Sequence, residues 1–513
     1  MAGLYKFPLI RVDCFTSPRP GTTWLLPNPK DPSLPWTPAP NAQLFLLTHV
    51  HSDHLLGLSN SFAGRILCSP DTKRMLLSLE AESNRVHSLN GILEVPKRKY
   101  DGLRPRHRVD GNRETLPYGE TREFDLGYRL NEQVKVKITL FDANHCPGST
   151  MFLLQSPDFS VLHTGDVRAD SPFVESLRRN PTLEEYIGSG RQVERQGRLP
   201  NKQRLDRIYL DTSALLGTGD MPDKEVALQD VMQQLDLYPR DTVFFFNIWC
   251  FGWEDIVKEV ARYFGTVVHV DRYKRSIYKA IASDPSLLKC TTESWETTRF
   301  HACERLARCP MCRSGTPAGQ AGNKLIVQVV FAEIKTVAWD IRHQEFIQQL
   351  SHAVTDNGRY PTTIEVPLAR HSLLPELRRL VQLFRPMAIS PNTLVPTSRG
   401  MDYYLFPQLF GEMLSKEELE RAKGERDSWF VKHRHFGGDW LARLKWQEEQ
   451  IGLLAFIGSF NVEHGDARHP SGSASTTRTD TRDVSYVDQV NRLLGPPVIS
   501  EGDRLNERHP LVD

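Results

Sequence analysis

The segment LLTHVHSDHLLGLS, residues 46–59, crowds three histidines and one aspartate into the six positions from His49 to His54. In an extended backbone, side chains at i, i+2 and i+4 share a face, so His49, His51 and Asp53 converge, and His54 joins them if the chain turns there. The following LLGLS supplies such a turn into a helix. With 17 histidines among 513 residues, chance assembly of this pattern is on the order of one in a thousand. The segment therefore predicts a metal site at the end of a strand.

Two further segments have the same character. LFDANHCPGS sets His145 in a Pro/Gly turn after a strand-like run, and SVLHTGDVRAD sets Asp166 at a strand end after Gly165. Each alone reads most simply as a turn or capping residue. Together with the first cluster they predict one site built from several loops.

The surrounding pattern is consistent with that. Short apolar or alternating runs (AQLFLLTH, VKVKITLFDAN, STMFLLQS, FSVLHTGD, RIYLDTS) end in polar turns. Helical stretches lie between them, among them SPDTKRMLLSLEAE, with Asp71 or Thr72 as cap and Met75, Leu76 and Leu79 as an apolar stripe. This predicts an α/β class. From Pro222 the rhythm repeats, with helices at DKEVALQDVMQQL and WEDIVKEVARYF around a strand at DTVFFFNI, as in an inserted domain. TTIEVPLARHSLLPELRRLVQLFRPMAIS then reads as strand, His-bearing turn, helix and strand returning to the first core. SKEELERA carries a Ser-x-x-Glu capping box. Residues 463–483 are almost devoid of apolar side chains and are expected to be disordered. The periodic patch Val484, Val487, Val490, Leu493 and Leu494 is either a partner-binding helix or a weak amphipath.

Composition removes several classes. A mean hydropathy of −0.42 and no apolar run near ~20 residues argue against a membrane role. The N-terminus lacks the features of a secretory signal, which predicts an intracellular location. Eight sparse cysteines then read as thiols or metal ligands. A net charge of +1 means that any polyanion site is a local patch.

The HxHxDH run from His49 to His54, with His145 and Asp166, resembles the metallo-β-lactamase fold. DANHCPGSTMFLL, VLHTGDVRAD and YLDTS look like its β-CASP branch of DNA cross-link repair nucleases. GTVVHVDRYK, RFHACERL and PNTLVP are similar to Artemis-like members, and the similarity runs in order from about residue 8 to 412. The resemblance implies an αββα sandwich split into residues 1–215 and 356–412, an inserted α/β β-CASP cap at 216–355, a helical extension at 413–460 and a tail at 461–513. It implies a first metal on His49, His51, His145 and Asp166, and a second framed by Asp53, His54, Asp166 and His371, with Asp166 bridging. Asp13 in RVDCF matches the early acidic motif that supports the ligand loops, and Asp211 in YLDTS the first β-CASP acidic motif. His371 in LARHSLL matches the later histidine, although Arg370 and Ser372-Leu373 depart from the usual flanks. At the final motif Thr393 or Leu394 stands where RNA enzymes carry histidine. A structural zinc in the cap is implied on His269, His301, Cys303 and Cys312, with Cys309 as the competing fourth ligand.

Imidazole with a few carboxylates suits zinc, which lowers the pKa of bound water toward about 7. The expected activity is metal-dependent DNA phosphodiester hydrolysis, with Asp53 handling the water's proton and His371 the leaving oxygen or second metal. Expected partners are DNA ends, single-stranded or hairpin DNA, and a repair protein at the tail, in the nucleus. The six Lys/Arg of PKRKYDGLRPRHR either grip phosphates or form a solvated loop or import signal. DRYKRSIYKA reads as an ordinary amphipathic helix ahead of a face lining single-stranded DNA. Trp429, Trp440 and Trp446 are expected to pack the helical extension onto the body. Rival readings are an RNA-processing β-CASP nuclease, a small-molecule metallo-hydrolase and a non-catalytic repair scaffold.

Overall fold

The computed structural model describes residues 4 to 445 with interruptions, chiefly at 17–24, 27–36, 104–112, 188–203, 216–220, 314–323, 395–399 and 433–440, and at some single positions and pairs. The polar tail, the patch from Val484 to Leu494, Trp440, Trp446, and Arg104, Arg106 and Arg108 lie outside the described residues.

Two sheets face each other. One is parallel and four-stranded, ordered Ile10–Val12, Leu44–Leu46, Ile66–Cys68, Arg113–Thr115. The other is mixed and six-stranded, ordered Ile389–Pro391, Arg207–Leu210, Ser160–His163, Thr150–Gln155, Glu132–Asp142, Thr121–Arg129. The period-2 alternation of strand side chains decides which core each residue joins. Along Thr150–Gln155, Phe152 and Leu154 enter the layer between the sheets with Ile10, Leu44 and Leu46. Met151 and Leu153 point the other way, under helices Ser171–Arg178 and Leu374–Phe384. Helices therefore cover the outside of the sheet pair, giving a mixed α/β architecture.

A third sheet, wholly parallel, is ordered Thr291–Thr292, Val268–His269, Phe300–His301, Val243–Phe246, Ile326–Ala332, Thr363–Pro367. It forms an excursion, because the strands on either side of it in sequence pair directly with one another, Ile208 opposite Ile389. Its core is continuous with the outer face of the four-stranded sheet: Leu47, Val50 and Met75 pack in one cluster with Phe246 and Ile277.

Three local expectations meet the structure with different outcomes. The strand of TTIEVP was expected to return to the first core, but Thr363–Pro367 pairs with Ile326–Ala332 in the third sheet. The return begins only with the His371 turn, because Ile364 and Val366 are apolar and buried on the third sheet's side. Helix Pro70–Leu76 is capped by Ser69, whose hydroxyl accepts from the Thr72 amide, rather than by Asp71 or Thr72; Pro70 at the first turn fixes the start two or three residues earlier. The capping box at Ser415 does form, Glu418 N donating to Ser415 Oγ and Ser415 N to Glu418 Oε2, at 3.2 and 2.8 Å. Trp429 is buried against Tyr403 and Phe430. Among the described residues no helix is long and apolar enough to cross a membrane.

Candidate metal centre

The ligand-bearing turns lie at strand ends. Strand Leu44–Leu46 runs out into Thr48 and His49, and a 3-10 turn, Ser52–Leu55, begins right after His51. That turn breaks the i, i+2, i+4 series. His49 and His51 converge, while Asp53 swings to the rim with 74% of its side chain exposed, and His54 folds inward. An extended run through Asp53 would place it with His49 and His51, and the early turn is why it does not share their face.

His49, His51, His145 and Asp166 come together, one donor atom from each within 4.8 Å of the others. His49 Nε2 is 2.8 Å and His145 Nε2 3.1 Å from His51 Nδ1. The outer nitrogens fix the tautomers. His145 Nδ1 donates to the carbonyl oxygen of Arg370 at 2.9 Å. Thr48 Oγ1 donates to Asp13 Oδ2 at 2.6 Å and so accepts from His49 Nδ1 at 2.9 Å. Both Nε2 atoms therefore present lone pairs inward, where one proton on His51 Nδ1 serves only one of them. A cation satisfies all three, and Asp166 Oδ1, buried without a hydrogen-bond partner among the described residues, adds negative charge beside them. Burial first, and then the neighbouring imidazoles, press His49 and His145 well below the ordinary histidine value. Neutral imidazole is the ligand form. The residues fit a divalent cation.

Asp13 organises this wall. It sits just past strand Ile10–Val12 with φ +48°, a left-handed conformation that Asp tolerates better than most residues. It accepts from Thr48 N at 2.8 Å and from His54 Nδ1 at 2.8 Å as well as from the Thr48 hydroxyl. His54 Nε2 then faces Asp166 Oδ2 at 3.1 Å and Asp53 Oδ2 at 3.4 Å. Burial opposes a charge on His54, but Asp166 and Asp13 outweigh it and raise its pKa well above normal. Gly165, at φ +57°, lets the chain reach Asp166: a Cβ there would stand 2.9 Å from the carbonyl oxygen of Thr150.

The side chains expected around a second ion divide differently. Asp166, Asp211 and His371 form one group, whereas His54 reaches Asp166 and Asp53 reaches His54 without joining it. His371 Nδ1 lies 3.0 Å from Asp211 Oδ2, and against the cost of burial that carboxylate raises His371 to about 9. Asp211 is driven below the carboxylate range, the His371 charge outweighing its burial. Asn392 Nδ2 holds the Gly165 carbonyl at 2.9 Å, and Thr393 contributes its backbone oxygen to Thr212.

The third sheet closes over the cluster. The loop after Val243–Phe246 lays Phe251 against His51, ring centroids 5.9 Å apart, and Arg370 stacks over Trp253 at 5.0 Å. Thr48, Phe251 and the Arg370 carbonyl were not foreseen. Thr48 left a trace as a polar residue in an apolar run, but a backbone carbonyl leaves none.

A second knot lies inside the third-sheet domain. His269, His301 and Cys309 form one group and Cys303, Cys309 and Cys312 another, so Cys309 is common to both. The sequence ranked Cys309 only as an alternative to Cys312. His301 Nδ1 faces His269 Nδ1 at 3.2 Å and Cys309 Sγ at 3.6 Å, and all three cysteines are thiols. Burial lowers His301 to about 4, while hydrogen bonds to Cys303 and Cys309 outweigh burial and raise His269 to about 9.

The helix Arg272–Ala280 is structural. Tyr273, Lys274, Ile277 and Tyr278 are buried, Arg272 pairs with Glu80 at 2.7 Å, and Arg275 donates to the carbonyl of Leu288 at 3.2 Å.

No family model matches the chain. Among curated proteins it is 28% identical over 361 residues to chicken (Gallus gallus) 5′ exonuclease Apollo, covering 69% of this chain and 59% of that one. It is 25% identical over 355 residues to DNA cross-link repair protein SNM1 of Arabidopsis thaliana, covering 68% and 60%. It is also 25% identical over 368 residues to the mouse (Mus musculus) DNA cross-link repair 1A protein, covering 69% and 29%. The chain thus spans 48–59% of the length of the Apollo proteins it matches. These proteins are homologues of the chain, in agreement with the resemblance of its motifs to the Artemis-like cross-link repair nucleases.

Proposed function

We propose that the chain is a zinc-dependent DNA nuclease, a metallo-β-lactamase αββα sandwich with an inserted β-CASP cap. It would hydrolyse phosphodiester bonds as a 5′ to 3′ exonuclease, a structure-selective endonuclease or both, in nuclear repair of double-strand breaks or interstrand cross-links. The observation that carries this reading is the convergence of His49, His51, His145 and Asp166 beneath a loop of the third sheet. The facing sheets and the excursion between neighbouring strands support the fold reading, with the cap, expected at 216–355, extended through Pro367 by the pairing of Thr363–Pro367. The names of the relatives support the substrate.

His49, His51, His145 and Asp166 would hold the first ion, and the imidazole-rich set suits zinc. Asp166 with Asp211 and His371, flanked by His54 and Asp53, would serve a second. An ion there supplies a Lewis acid that eases deprotonation of water and draws charge from a phosphodiester oxygen. The residues manage the protons. Asp53, ionised at the rim, accepts the proton of the attacking water; His371 would be a neutral ligand where a second ion is bound, and where none is, it is kept protonated by Asp211 and returns a proton to the leaving oxygen. The knot at His269, His301, Cys303, Cys309 and Cys312 would hold a structural zinc that steadies the cap.

The test is purified protein with end-labelled single-stranded, hairpin and overhang DNA and matched RNA, beside Asp166→Ala. Cutting of DNA by the parent alone is expected. Equal cutting by both proteins means contamination, preference for RNA makes this an RNA-processing enzyme, and ester turnover without nuclease activity makes it a small-molecule hydrolase.

A further inference from the structure

Trp249 is 50% exposed although it lies in the loop that carries Phe251 onto His51. Two residues span at most about 7 Å of chain. With the Phe251 ring 5.9 Å from that of His51, a base on Trp249 would lie within a few nucleotides of a phosphate at the cluster.

The ring is built into a platform. The Arg305 guanidinium lies 4.3 Å from its centroid, so one face carries a cation while half the residue stays open to solvent. Both halves of the pair are anchored by Lys274. Its buried Nζ donates to the carbonyl oxygens of Ile248, next to Trp249, at 3.3 Å and of Ala302, three residues before Arg305, at 2.7 Å. Arg308, over the Phe245 ring at 4.2 Å, adds positive charge on the same segment. A rigid, half-exposed indole edged by guanidinium groups is chemically suited to a flat aromatic ligand joined to a phosphate.

We infer that Trp249, backed by Arg305, is a stacking platform for an unpaired base within a few nucleotides of the scissile phosphate, and so sets the preference for single-stranded flanks. The inference rests on the nuclease reading. Inside a duplex both faces of a base are already stacked, so only an unpaired base can use the ring. Stacking is indifferent to base identity, so the preference is for structure rather than sequence.

Binding is measured in an Asp166→Ala background, which isolates binding from hydrolysis and leaves the His269, His301 and Cys309 knot untouched. Fluorescein-labelled single-stranded and blunt duplex DNA are titrated against this protein and its Trp249→Ala, Trp249→Phe and Arg305→Ala derivatives. An abasic site is then stepped along the single strand. Trp249→Ala should weaken single-strand binding by roughly 5- to 100-fold, Trp249→Phe should restore most of it, and duplex binding should be unchanged. At one abasic position the protein that keeps Trp249 and its Trp249→Ala derivative should bind equally. In the parent background, Trp249→Ala should raise KM on overhangs and spare kcat. Equal losses on single strand and duplex, or no abasic position that cancels the difference, overturn the inference. Parent protein that binds in this pattern but cuts no DNA would sink the nuclease reading and leave the platform standing. Should Trp249→Ala not fold, the abasic scan with Trp249→Phe and Arg305→Ala decides alone.

Discussion

His145 Nδ1 donates to the backbone carbonyl of Arg370 at 2.9 Å, joining residues 225 positions apart. The bond fixes the imidazole tautomer and ties the return segment to the His145 loop, so that the turn carrying His371 and the candidate metal cluster form one unit. Ser372 strengthens the tie by donating to Val167 O at 2.8 Å and accepting from Ala169 N at 2.7 Å.

Asp13 touches no inward-facing ligand nitrogen but orients two imidazoles, His54 directly and His49 through Thr48. Asp13→Ala is expected to weaken metal affinity about 10- to 100-fold with a parallel loss of cleavage. Isothermal titration of chelator-stripped protein with zinc checks this, and unchanged affinity would show that Asp13 does not position the ligands.

Arg168 is fully buried, pairs with Glu376 at 3.0 Å and donates to the carbonyl oxygens of Ala369 and Pro222 at 3.2 Å each. Arg168→Leu strands a buried carboxylate and two carbonyls, so unfolding stability should fall by about 3–5 kcal/mol. Denaturant titration measures it, and a loss under about 1 kcal/mol would mean the site relaxes or hydrates.

Glu254 follows the loop that bears Trp249 and Phe251. Burial, with a smaller push from Asp255, holds its carboxyl at about 7 against an ordinary 4.5. A raised carboxyl binds its proton more tightly folded than unfolded, so its stabilising contribution is complete below 4.5 and disappears as pH rises through 7. Glu254→Gln should flatten stability across that window and exceed the parent at alkaline pH by up to about 3 kcal/mol. Parallel pH profiles for the two proteins would show that the carboxyl does not titrate there.

Cys309 belongs to both ligand groups of the second knot. Cys309→Ser is expected to remove about one equivalent of zinc per chain, lower Tm and leave the Asp166 cluster loaded. Elemental analysis beside thermal melting reads both. Undiminished zinc would move the ligand role to Cys303 and Cys312 with the two histidines.

The first metal group was legible because its residues are chemically distinctive and stand at the ends of apolar runs. His49, His51, His145 and Asp166 meet as the motifs suggested. The second group was less so. Spacing put Asp53 on the face of His49 and His51, but the 3-10 turn from Ser52 carries it out to the rim, and Asp211 rather than Asp53 stands beside His371. The strand Thr363–Pro367 has the same apolar pattern whichever sheet receives it, and only the packing of Ile364 and Val366 assigns it to the third.

The sequence by itself determined the donor types, the α/β alternation and the turns on which the donors stand, because these follow from side-chain chemistry and local backbone preference. Tertiary structure alone decided which donors share a centre, how the Arg370 carbonyl and Thr48 set their protons, and that Trp249 stands exposed in the loop that brings Phe251 onto His51. Those outcomes depend on contacts between segments far apart in the chain, Asp13 with Thr48 across 35 positions and His145 with Arg370 across 225, and no local pattern encodes them.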